Sequence, residues 1–126
     1  MRHVVSTMLV FVGVIHLLPL PGVLGSERLA ALYGLSFTEP NLAILMRHRA
    51  VLFGLLGLFL VFAAFQPSLQ PAAFTAGFVS VISFLWLAGS VGGYNAQLAR
   101  VFMADIAALI FLLVGVAAHI AERVRG

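Results

Sequence analysis

Apolar positions run through this chain in four long blocks, separated by short polar or proline-rich breaks. Between Ala50 and Ala99 there is not one Asp, Glu, Lys or Arg. That run is too long for one buried helix of a soluble protein, and it is enough for two membrane crossings of ~20 residues with a turn between them. The pattern predicts spans over about 3–18, 40–65, 72–90 and 97–120. The expected fold class is therefore all-α: an integral membrane four-helix bundle, with residues 1–126 forming a single four-span domain.

The breaks carry their own chemistry. Pro19-Leu20-Pro21-Gly22 ends the first span, because proline lacks the amide donor and disfavours helix in the residue before it. That span is short for a straight crossing, so Val23 and Leu24 are expected to finish it as irregular backbone covered by protein. Residues 26–34 begin with a capping serine and an acid, place Leu29, Leu32 and Tyr33 at helical spacing, and end on a glycine. They predict a short amphipathic helix lying along the membrane surface between spans one and two. Thr38 or Glu39 can cap a helix whose first residue is Pro40. The uncharged loop 66–71 and the Gly92-Gly93-Tyr94-Asn95 break make the remaining turns. Small residues four apart, at Ala50/Gly54, Ala76/Ser80, Gly89/Gly93 and Ala104/Ala108, have the spacing that lets helices approach closely in lipid.

Composition agrees with a membrane location. Hydrophobic residues make up 63% of the chain and charged residues 9%, too little polar surface to cover a soluble core. The net charge of +3 is the balance of seven scattered arginines against four acidic residues. Scatter of this kind is no nucleic-acid footprint and fits arginines facing anionic lipid. The absence of cysteine excludes disulfides, thiolate metal sites and thiol chemistry. Met1-Arg2 and the apolar run after it imitate a secretory signal, but His16 and two prolines within the run favour a retained span.

Four spans put both termini and the 66–71 loop on one side of the membrane. Loops 19–40 and 91–97 lie on the other, here termed the loop side. The polar residues collect there. His16 is near the end of span one. Arg47, His48 and Arg49 lie ~10–14 Å into span two at 1.5 Å per residue. Trp86 and Ser90, then Tyr94, Asn95 and Gln97, and then Arg100 and Asp105 follow at the same end of the bundle. The opposite half reads as a dry packing zone. A lone Arg or Asp in hydrocarbon costs at least ~2.5–3.5 kcal/mol, so Arg49 and Asp105, at similar depth, are expected to face each other. Arg47 and Arg49 are about 200° apart around the helix. One should enter the bundle while the other snorkels to the headgroups.

The candidate ligand-binding residues are His16, Glu39, Arg47, His48, Arg49, Tyr94, Asn95, Arg100 and Asp105. Each also has a simpler structural role. Arg49 and Asp105 can be an ion pair orienting two helices. Arg47 and Arg100 can snorkel. The histidines can hydrogen-bond a carbonyl. Tyr94 and Trp86 can be interfacial aromatics, Asn95 a turn residue and Glu39 a helix-start acid. The stripe of Phe53, Phe59, Phe62 and Phe65 reads as packing or lipid-facing surface. His16 and His48 could also relay a proton or ligate haem, although two histidines alone call for no cofactor, and no metal site is expected.

Three functions fit this pattern. One is a binding protein, or a cofactorless enzyme of proton transfer or isomerisation, acting on an amphipathic lipid-like molecule; there His16 or His48 would move a proton while Arg49 holds an anion. The second is a structural or accessory subunit of a membrane complex. The third is a small dimeric transporter. Expected partners are membrane lipids, an amphipathic ligand, and a second copy or a membrane-complex partner, with no nucleic acid. Arg2, Arg123 and Arg125 favour cytoplasmic termini.

Leu32-Tyr33-Gly34, Pro40-Asn41, the Arg47-His48-Arg49-Ala50-Val51-Leu52-Phe53-Gly54 stretch, Gly93-Tyr94-Asn95 and Asp105 resemble a family of small bacterial four-helix membrane proteins. Its members are often labelled "phosphopantetheine adenylyltransferase". The resemblance spans nearly the whole chain. More distantly the architecture is similar to DoxX-type membrane proteins, and through them to four-helix membrane folds that bind sterols and other apolar ligands. It implies a four-helix fold in a bacterial inner membrane. Adenylyl transfer is not expected, because no stretch has the Gly/His nucleotide-binding motif following a strand.

Overall fold

In the computed structural model the described residues are 2–19, 30, 31, 33 and 39–125. They form four helices: α1 (Arg2–Leu17), α2 (Pro40–Ala63), α3 (Gln70–Val91) and α4 (Ala96–Arg125), with one 3-10 turn at Pro67–Leu69. No strand occurs among the described residues, and the protein is an all-α membrane bundle. Among the described residues three segments are long and apolar enough to cross a membrane: Pro40–Ala63, Pro67–Val91 and Ala96–Arg125. The first helix is apolar but has only 16 residues. At 1.5 Å per residue that is about 24 Å, short of the ~30 Å hydrocarbon layer. Of the surface helix expected over 26–34, Ala30, Ala31 and Tyr33 are described and helical. Its other residues, and Val23 and Leu24, lie outside the described set.

Local chemistry sets the helix ends. Glu39 precedes Pro40 and accepts from the backbone N–H groups of Asn41 and Leu42 at 3.1 and 2.8 Å, a side-chain N-cap with proline at the first helical position. The Leu98 N–H donates to Asn95 Oδ1 at 2.8 Å, so Asn95 caps α4. Between α3 and α4 the chain reverses through Gly92 and Gly93, with φ of +67° and +66°. Side chains rarely adopt that region, and glycine enters it freely. Helix α4 runs 30 residues, about 45 Å. Its last turn therefore carries Glu122, Arg123 and Arg125 past the apolar layer.

Helix α1 packs against both α2 and α4, α3 packs against α4, and α2 and α3 touch least among neighbours. Leu9 and Val12 of α1, Leu60 of α2, Val81 of α3 and Leu112 of α4 are fully buried. In lipid no hydrophobic force separates core from surface, so close packing decides which helices meet. Helices α1 and α2 come close together at Gly13 and Gly57. A Cβ on Gly57 would lie 2.8 Å from the Gly13 carbonyl oxygen, and one on Gly13 would lie 2.6 Å from Val61 Cγ2. Among the described residues, a Cβ added at Gly89 or Gly93, spaced as if for contact, would meet no atom of another segment within 4 Å. Ile44, Leu45, Phe62, Val79 and Trp86 are exposed on the outer faces, where lipid would cover them.

The terminal half is mostly the apolar packing its sequence suggested, with one polar knot. The Ser6 hydroxyl donates to the Ala64 carbonyl at 2.6 Å, and Nε2 of the buried Gln70 approaches the same oxygen at 3.4 Å. A helix leaves its last carbonyls without intrahelical donors. Ala64, just past α2, is such a position, and two side chains satisfy it.

Candidate functional site

The cavity that defines the site follows from where α1 stops. His16, the penultimate residue of α1, hydrogen-bonds Ser80, which lies eleven residues before Val91, the end of α3. Eleven residues are roughly 16 Å of helix. Helix α1 therefore ends well inside the layer that α3 crosses, and Pro19 prevents it from continuing. Its early end leaves space in the loop-side half, a cavity of about 270 Å³. Ile15, His16 and Leu18 form its floor, Arg49 and Phe53 come from α2, and Phe84 from α3. Gln97, Arg100, Ala104 and Asp105 come from α4, and Tyr33 comes from the connecting segment.

His16 is 3% exposed. Its Nδ1 lies 2.9 Å from the Val12 carbonyl and its Nε2 lies 2.9 Å from Ser80 Oγ. A carbonyl only accepts, so Nδ1 carries the hydrogen. In the neutral form of the ring, Nε2 is then the acceptor of the Ser80 hydroxyl. Both ring nitrogens are thus engaged, and the bond to Ser80 ties α1 to α3 across the bundle. The ring also lies 5.7 Å from that of Phe53, centre to centre.

Arg49 is held at three points. Its Nη1 donates to the Tyr33 hydroxyl at 2.7 Å, and its guanidinium carbon lies 4.4 Å from the Phe53 ring centre and 5.5 Å from that of Tyr33. Cation–π contacts of this kind gain strength when the site is desolvated. Tyr33 is 4% exposed and packs against Met46, Leu98 and Val101. Its carbonyl accepts from Asn95 Nδ2 at 2.7 Å. Arg49, Tyr33 and Asn95 therefore form a continuous link from α2 to the start of α4.

Asp105 projects from α4 into the same cavity. Arg49 lies nine residues after Pro40 and Asp105 nine after Ala96, so both sit roughly 13–14 Å along their helices. The direct ion pair that their matching depth suggested is nonetheless not made: among the described residues no ion pair within 4 Å joins Arg49 and Asp105. The reason is local. The Tyr33 hydroxyl and the two aromatic rings hold the guanidinium on its own side of the cavity.

The cavity brings together His16, Arg49, Arg100 and Asp105 from the sequence-derived candidates. Arg100 is largely exposed at the rim. Glu39, Arg47, His48, Tyr94 and Asn95 are outside the cavity wall. Glu39 is the α2 cap, and the two backbone N–H groups hold its carboxyl below the usual range. Arg47 and His48 are exposed on α2, turned away from Arg49 by the helical rotation. Tyr94 is 40% exposed and stacks on Phe102 at 5.7 Å. With His48 outside and both His16 nitrogens engaged, the two histidines do not share a cavity as axial ligands would.

Residue-by-residue reading of the sequence overlooked Tyr33, Phe53, Ser80, Phe84 and Gln97 as parts of this site. Phe53 had a usable signal, since it follows Arg49 by four residues and so shares its helix face. Phe84 stands in the same relation to Ser80. Tyr33 had none, because its contacts are with residues distant in sequence.

Fold and site together define an all-α membrane bundle with a mostly apolar cavity in one half, into which an arginine, an aspartate and a buried histidine face. No family model, curated protein or solved structure matches the chain.

Proposed function

We propose that this protein binds an amphipathic, lipid-like small molecule. The ligand's polar group would lie between Arg49 and Asp105, and its apolar part along Ile15, Phe53 and Phe84. The observation that carries this reading is the cavity of about 270 Å³ with polar groups converging on an otherwise apolar wall. Ligand sites have that composition: apolar lining with a few placed polar groups. Ionisable residues inside a membrane are rare and mark such sites. Binding is favoured over proton-transfer catalysis because neither histidine offers an unengaged nitrogen to the cavity. The family resemblance and the flanking arginines support a bacterial inner membrane with cytoplasmic termini.

The test is lipid analysis of protein purified from membranes. Wild-type protein is expected to carry a small amphiphile that Arg49→Ala and Phe84→Trp lose, the second by filling the cavity. Identical co-purifying lipids in all three folded proteins would overturn the reading.

A further inference from the structure

Arg49 and Asp105 share a cavity and a depth, yet no ion pair within 4 Å joins them. In a water-poor site opposite charges attract strongly and ordinarily close to hydrogen-bond distance. Here the guanidinium is fixed elsewhere by Tyr33 and Phe53. Tyr33 is itself held by Asn95, so the separation is built by a chain of contacts from two helices.

The two groups also complement one another chemically. Arg49 only donates, and one of its five N–H donors meets Tyr33. The Asp105 carboxylate only accepts. Their charges sum to zero, and the exposed Arg100 lies at the rim. A ligand bringing a net charge to the inner part of the cavity would leave that charge unbalanced where solvation is poor.

We infer that the span between Arg49 and Asp105 is the seat of an uncharged headgroup that accepts from the guanidinium and donates to the carboxylate, with an amphiphilic alcohol as the simplest ligand class. A hydroxyl has both capacities in one atom. A carboxylate would meet Arg49 but be repelled by Asp105, an amine would meet the reverse, and an ether could not donate. Sites that hydrogen-bond a hydroxyl discriminate strongly against analogues lacking it, because their buried polar groups are then left unpaired.

This inference rests on the ligand-binding reading above. The experiment measures thermal unfolding of the purified protein in neutral maltoside micelles with 1-decanol, decyl methyl ether or decanoate at equal mole fraction. Decanol is expected to raise the Tm, and the ether and decanoate to raise it clearly less. Asp105→Asn is expected to invert the order of decanol and decanoate, and Arg49→Gln to abolish the decanol shift. The ranking of the three probes on wild-type protein stands even where a variant fails to fold. Decanoate or the ether matching decanol would overturn the headgroup inference and leave the ligand cavity intact. No shift with any probe would overturn both.

Discussion

His16 and Ser80 show how one hydrogen bond can join two helices that otherwise barely meet. Removing the Ser80 hydroxyl leaves a buried imidazole nitrogen without a partner, a change costing about 1–3 kcal/mol. Ser80→Ala is therefore expected to lower unfolding stability in detergent by that amount. Ser83→Ala removes only an exposed bond to the Ser80 carbonyl and is expected to stay within ~0.5 kcal/mol. Equal losses in the two variants would deny the His16 bond its role. Glu39 gives a pH-dependent counterpart. Its carboxyl titrates below the usual 4.5 because two backbone N–H groups favour the charged form. The stabilisation is thus complete above pH 4.5 and is lost as pH falls through the lowered folded-state value. Amide protection factors at Asn41 and Leu42, taken relative to the intrinsic exchange rate at each pH, are expected to fall over that acidic range in wild type. In Glu39→Gln protection at these two amides is expected to be low and independent of pH over the same range.

At the scale of elements, the α1–α2 contact rests on two glycines whose backbones touch. Gly57→Ala places a methyl 2.8 Å from a backbone oxygen and from Leu17 Cγ, and the backbone cannot move aside without shifting a helix. Overpacking of this kind costs typically 1–3 kcal/mol. Gly89→Ala meets nothing within 4 Å and improves helix propensity by up to about 1 kcal/mol. An SDS unfolding titration is expected to separate the two, with Gly57→Ala destabilised and Gly89→Ala unchanged or stabilised. The small-residue spacing seen in sequence could not make this distinction. It singled out Gly89/Gly93, whereas Gly57 has Phe53 and Val61 four residues to either side, and only the path of a second helix decides which glycine is occluded.

For the whole molecule, three long apolar segments and a shorter helix place the 66–71 turn and the α4 tail at one end, with the α3–α4 turn at the other. The chain has no cysteine, so single replacements report cleanly. Ser68→Cys and Val124→Cys are expected to react with an impermeant maleimide from one face of sealed vesicles, and Val91→Cys from the other. Reaction of all three from the same face would contradict a membrane-crossing bundle. Reaction of Ser68→Cys from the cytoplasmic face would agree with the proposed orientation.

The charge-free run from Ala50 to Ala99, the prolines at 19, 40 and 67, and the collection of polar residues at one end sufficed to read a helical membrane bundle with a polar loop-side half. These features act locally or through the bilayer, so one dimension of information captures them. Helical rotation alone also showed that Arg47 and Arg49 could not both enter. Which one did, and that Arg49 would be caught by Tyr33 and Phe53 short of Asp105, required the helices to be in place. So did the cavity itself. Its volume comes from the difference in reach between a helix halted at Leu17 and neighbours that continue, and such a difference belongs to no single stretch of chain.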